Sequence, residues 1–192
     1  VELLTLWFAI HTLSSVRALV GAEGLWSKAQ KDASYYLQKY SYTHNEEDYK
    51  SFQRFMAVPE GDHKTRLELM KEHPNMDIAR QGFLEGKIHP DDIDGMISLL
   101  RRFSDIYYIQ TAIQRWNEGD SIIAKLTIIG EKLHTEINSK NFSDEQIAVI
   151  TKEIDPINHQ LTIVEDNFSY ILGEGSRWLE NLILKVLFSV AL

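Results

Sequence analysis

The chain has no cysteine. That excludes disulfide staples, thiol catalysis and any metal site built on thiolates. Proline is scarce, at four in 192 residues, and no run of alternating Val, Ile and Thr appears, so a sheet lacks its strands. Basic charge is also short. With 20 Lys and Arg against 28 Asp and Glu, the net charge is −8. A nucleic-acid partner calls for the opposite balance or a basic face interleaved with aromatics, and neither is present. There is no G-x-S-x-G elbow, no phosphate-binding loop and no dinucleotide fingerprint. His63, His73 and His89 fall in different short segments, while His44, His134 and His159 lack a second ligand at helical spacing. The acidic group Asp91, Asp92 and Asp94 suits a helix N-terminus better than a calcium loop. No metal, no cofactor and no catalytic residue are expected.

What the chain does have is helical periodicity. A hydrophobic fraction of 44% supports a real core, and the expected class is all-α, in a single domain over residues 1–192. Everything is organised around residues 16–40. There Leu19, Ala22, Trp26, Ala29, Ala33, Leu37 and Tyr40 recur at steps of three and four, the stripe of a helix buried along one side. A second stripe, Arg17, Gly21, Gly24, Lys28 and Asp32, lies on a neighbouring face. Each interior glycine costs a helix about 1 kcal/mol relative to alanine. Something close to the backbone, another helix or a ligand, would explain that cost.

The first helix is expected over residues 3–42, roughly 60 Å long at 1.5 Å per residue. Asn45 caps a second helix that stops near Val58. Short pieces follow: Pro59 in a first turn, a bend at Gly61-Asp62, a helix over 65–72, a break at His73-Pro74, a helix over 75–84 closed by Gly86, and another from His89-Pro90 to 103. Ser104-Asp105 is expected to cap a long helix over 106–138. Ser143 and Gln146 form a capping box for a helix reaching 154, and Asp155-Pro156 opens the last helix. With both ends on one side the number of passes is even. The architecture expected is an elongated up-down four-helix bundle with long first and last helices and one arm broken into short helices.

The apolar ends, residues 1–12 and 182–192, are each too short to span a bilayer by themselves. They read as juxtamembrane stubs of flanking membrane helices, or else as core helices of a soluble protein. The candidate ligand-binding residues are Arg17, Glu23, Trp26, Lys28 and Asp32 on the first helix, with Trp116 and Asp120 further on. Arg66, Arg101 and Arg102 stand beside them as secondary candidates. An Arg fork and a Trp face are the usual grip on a small anion or zwitterion. The plainer alternative makes the tryptophans core, Arg17 half of an inter-helix salt bridge, and the glycines a helix contact in a dimer.

The run SSVRALVGAEGLWSKAQKDASYYLQKY, then VPEGDHKTR, IHPDDIDGM, RRF and an IQRW-x3-D element ending at Asp120, resembles the helical extracytoplasmic sensor domain of bacterial transmembrane signalling proteins. In those proteins the domain lies between two membrane helices and feeds a diguanylate cyclase, a cyclic-di-GMP phosphodiesterase, a histidine kinase of a two-component system, or a chemoreceptor. The resemblance covers nearly the whole chain and brings no ligand with it. It implies a periplasmic position at the bacterial inner membrane and a homodimer. The expected function is signal input, by a small-molecule ligand or a periplasmic partner protein. A dimerisation stalk that reads a partner and binds no small ligand is the alternative.

Overall fold

The computed structural model describes residues 2–140 and 143–191. Val1 and Leu192, which belong to the apolar ends, lie outside the described residues. The protein is all-α: α1 (Glu2–Thr43), α2 (Glu46–Leu69), α3 (Met76–Glu85), α4 (Pro90–Arg102), α5 (Tyr107–Ile137), α6 (Asp144–Thr151) and α7 (Ile154–Ala191).

α1 is unbroken for 42 residues and closes at His44, whose φ of 51° is the left-handed turn that ends helices. Its apolar stripe is buried as expected, with Ala33 and Leu37 fully inaccessible. Asn45 then caps α2 by accepting from the Glu47 N–H at 3.0 Å, and Glu46, Glu47 and Asp48 occupy the positive end of the helix dipole.

α2 corrects the expectation of a stop near Val58, because the helix runs straight through Pro59 to Leu69. An interior proline forfeits a backbone hydrogen bond and costs about 3 kcal/mol. Packing outweighs it, since Val58, Pro59, Gly61, Asp62, Thr65 and Arg66 are all buried. The Gly61-Asp62 pair is no bend. It is where α3 crosses α2, so closely that a Cβ on Gly61 would lie 2.6 Å from the Gly82 carbonyl oxygen. Thr65 Oγ1 donates to the Ala79 carbonyl across the same junction at 2.9 Å.

The remaining boundaries follow the sequence with four corrections. Asn75, His89 and Ser143 cap α3, α4 and α6 through their side chains. Ser104-Asp105 does not cap α5, where Ile106 takes that position with no side-chain bond. At Ser143 the return half of the capping box comes from Glu136, which accepts the Ser143 N–H at 3.0 Å. α6 ends at Thr151, and Asp155-Pro156 lie inside the first turn of α7 rather than before it.

α1 packs along α2, α4 and α7, and α5 packs along α7. Two apolar cores result. One gathers Leu19, Phe83, Met96, Ile109, Trp116 and Ile171. The other gathers Trp26, Leu37, Tyr40, Phe52, Leu126 and Leu161. Beyond the first core, the start of α1 and the end of α7 lie side by side around an apolar groove of about 180 Å³, lined among others by Phe8, Ile106, Trp178 and Leu182. Here Leu3, Trp7, Ile10, Val186 and Phe188 are exposed to solvent. Within Leu3–Thr43 an 18-residue window has a mean hydropathy of 1.5 and is 28% buried. Among the described residues this is the one helix long and apolar enough to cross a membrane.

Candidate functional site

Where the two cores meet, side chains from six helices enclose a small cavity. α1 gives Leu19, Ala22, Glu23 and Trp26; α2 gives Asp62; α3 and α4 give Phe83 and Met96; α5 gives Arg115, Trp116 and Gly119; α7 gives Val164, Glu165 and Phe168. Its volume is about 30 Å³. A cavity needs some 10–15 Å³ to take one water, so this one holds about two.

The walls are aromatic and apolar, but the polar atoms on them are short of partners. Asp62 is 3% exposed and its Oδ1 has no hydrogen bond. Trp26 is 7% exposed and its indole N–H is unpartnered. Glu165 is 4% exposed, and neither of its oxygens forms a hydrogen bond. Lys31 approaches Glu165 Oε2 at 3.2 Å as a bare ion pair. Buried polar groups are nearly always paired, because each one left alone costs about 1–3 kcal/mol. Asp62 Oδ1 and the Trp26 indole N–H are the two left alone here, and Asp62 Oδ1 packs on Gly86, where a Cβ would run into it. Burial pushes the Asp62 carboxyl well above its ordinary value, and the charge of Asp120 pushes it the same way.

Asp120 follows Gly119 of the cavity wall and is itself buried. Arg66 Nε donates to its Oδ2 at 2.7 Å and His63 Nδ1 lies 2.9 Å from the same oxygen, while Oδ1 is unpartnered. Burial raises the Asp120 carboxyl, and the His63 and Arg66 bonds oppose that rise without cancelling it.

On the solvent side, Glu23 and Glu165 also border an open groove of about 560 Å³ between α1 and α7. Gly24, Ser27, Lys28, Lys31, Asp32, Asp166 and Ser169 complete its lining. A Cβ on Gly24 would meet nothing within 4 Å, and the same holds for Gly21. Within this chain no helix crowds these glycines. The cavity and the groove share two carboxylates, Glu23 and Glu165.

Of the residues expected from sequence, the structure puts Glu23, Trp26 and Trp116 on the cavity and Glu23, Lys28 and Asp32 on the groove, while Asp120 acts on the Asp62 carboxyl without lining either. It brings Arg17 to neither. That guanidinium is exposed and donates to Asp92 at 2.8 Å, an inter-helix pair on the α1–α4 face. Arg101 donates to the Leu69 and Lys71 carbonyls and closes the end of α2. Asp62, Arg115 and Glu165 were not expected. A signal for two of them exists: Glu165 sits four residues after Leu161 and three before Phe168, on the apolar stripe of α7, and Asp62 stands three before Thr65 and seven before Leu69. A carboxylate on a buried stripe needs a reason, and for Glu165 the Lys31 ammonium at 3.2 Å is one. No group of three or more His, Asp or Glu is placed to hold a metal ion among the described residues. Comparison with protein families, with curated proteins and with solved structures finds no match.

Proposed function

We propose that this chain is the signal-input domain of a membrane-bound bacterial receptor, with its ligand site in the cavity and groove between α1 and α7. One observation carries the reading. The polar groove is built on the same two helices whose exposed apolar ends lie together at one end of the molecule. A ligand held between α1 and α7 acts directly on their relative position. A helix pair with two arrangements converts differential binding into a shift along or across the helices. We take the arrangement as an up-down four-helix bundle whose second arm is α2, α3 and α4, with the apolar ends entering the bacterial inner membrane from the periplasmic side. Catalytic output, whether cyclic-di-GMP synthesis or breakdown, phosphotransfer or chemoreceptor signalling, is assigned to another part of the receptor.

The test is a thermal-shift screen of the purified chain against amines, amino acids, organic acids and neutral metabolites. Saturation at about 100 times Kd adds about 2.7 kcal/mol of stability. A shift abolished by Gly24→Phe, which fills the groove, and kept in Arg17→Ala supports the reading. A shift indifferent to Gly24→Phe places the ligand elsewhere. No shift with any solute favours the second reading, a homodimeric stalk that meets a partner protein. What speaks for that reading is the bare face of α1, where Val20, Gly21, Gly24 and Leu25 are exposed together.

A further inference from the structure

We infer that a second pocket, between α2, α4 and α5, binds a small carboxylate with an apolar body, such as an aromatic acid. Its volume is about 220 Å³. Arg66, Arg101 and Ser104 are its polar lining, and Leu69, Leu100, Ile113 and Trp116 supply apolar walls. Arg66, Arg101 and Trp116 are among the residues the sequence marks for gripping a small anion. The pocket and the α1–α7 groove share no lining residue among the described residues, so the two sites stand or fall separately.

Arg101 supplies the charge. Arg17, Arg66, Arg80, Arg115 and Arg177 each meet a carboxylate. Arg101 meets none among the described residues, in a chain with 28 Asp and Glu. Its Nη1 donates to the Leu69 and Lys71 carbonyls at 3.0 and 3.1 Å, which holds the guanidinium against the end of α2. A guanidinium has five N–H donors. With Nη1 spent, those on Nε and Nη2 have no acceptor among the described residues, and a carboxylate matches such a pair with two parallel hydrogen bonds.

Arg66 contributes differently. Its charge is balanced by Asp120, which accepts from Nε at 2.7 Å. Its Nη1 donates to the Met70 sulfur at 3.3 Å. A thioether is a weak acceptor, and a carboxylate oxygen is a better one. Met70 is 64% exposed, so it is free to move aside. No Asp or Glu is among the described residues lining the pocket. The uncompensated charge on its wall is therefore positive, and the ammonium of a zwitterion finds no partner there.

Size and walls select the body of the anion. An apolar cavity of about 150 Å³ takes a benzene ring, so the 220 Å³ here admits a ring and a carboxylate together. A bare anion leaves the Leu69, Leu100, Ile113 and Trp116 walls uncovered.

The experiment is titration calorimetry on the full chain with benzoate, benzamide, acetate and benzylamine. Saturable binding of benzoate is expected, with benzamide and acetate each at least tenfold weaker and benzylamine silent. Arg101→Gln should weaken benzoate binding tenfold or more, the usual loss of a hydrogen bond to a charged group. Arg101 also holds two carbonyls of α2, so Ser104→Trp provides a second variant. Ser104 lies in the turn between α4 and α5, where a large side chain fills the pocket and interrupts no helix. Gly24→Phe, in the α1–α7 groove, should bind benzoate as the parent does. Silence of benzoate overturns the inference, and so does benzamide or acetate binding as tightly. Benzoate binding that survives both Arg101→Gln and Ser104→Trp overturns it as well. Binding kept in Ser104→Trp but lost in Gly24→Phe overturns it and supports the α1–α7 site instead.

Discussion

The Trp26 ring of α1 reaches into the space left by Gly119 of α5. A Cβ at Gly119 would stand 3.3 Å from Trp26 Cη2 and 3.4 Å from Cζ2. The contact ties the two halves of the cavity wall together, since Trp26 belongs to one core and Trp116, three residues before Gly119, to the other. Gly119→Val is therefore expected to destabilise the chain by about 1–3 kcal/mol through overpacking. Urea unfolding checks this. A lower midpoint with unchanged slope is the expected result, and an unchanged midpoint would mean that Trp26 gives way freely.

Asp62 titrates against the fold. Its carboxyl is raised by burial and by Asp120, so the folded state holds a proton that the unfolded chain releases near its ordinary value of 3.8. Stability from this group is complete below that value and declines as the pH climbs from there toward the raised folded value. Asp62→Asn keeps the shape and removes the titration. It should raise the melting temperature at pH 8 and change it little at pH 4. A gain of about 1 kcal/mol would appear as about 2–4 °C in a chain of this size. Equal gains at both pH values would contradict the assignment.

The four glycines of α1 and the α2–α3 crossing separate cleanly. Gly61→Ala or Gly82→Ala drives a methyl into backbone, since a Cβ on Gly61 lies 2.6 Å from the Gly82 carbonyl. Losses at or above the roughly 3 kcal/mol end of overpacking are expected. Gly21→Ala and Gly24→Ala meet nothing within 4 Å, and should each stabilise by up to about 1 kcal/mol. Thermal melts of the four single variants suffice. Destabilisation by either α1 substitution would reveal a partner chain seated on that face.

Arg66 and Asp120 are a buried pair, at 5% and 3% side-chain exposure. Removing one partner leaves an uncompensated charge, so Arg66→Ala should cost about 3–5 kcal/mol. Arg17 is 67% exposed against Asp92, and Arg17→Ala should cost at most about 1 kcal/mol. Similar losses from the two would mean that burial does not govern these pairs.

Much of this fold was legible. The three-four spacing of Leu19, Ala22, Trp26 and Ala33 places α1 and its buried side without ambiguity, and Asn45, Asn75 and Ser143 announce their helices by capping chemistry. Pro59 misled because a local penalty of about 3 kcal/mol is invisible beside tertiary packing that the sequence does not display. The same limit explains the site. Glu23, Trp26, Lys28, Asp32 and Trp116 stood out by type and stripe. Arg17 had equal local credentials, and only Asp92, 75 positions away, removes it. Asp62 was concealed inside an apparent turn, so its burial emerged only once α2 was seen to be continuous.

The two cores meet across the small cavity rather than merging. An all-α chain built this way is expected to have two units of opening, one toward the paired apolar ends of α1 and α7 and one toward Tyr40, Tyr49 and His134 at the far end. Cooperativity between such units depends on what fills the boundary. A boundary whose polar groups lack partners couples them weakly, and one whose groups are paired makes them open together. Amide exchange protection would then spread through both halves on occupancy, including residues far from any contact with the occupant.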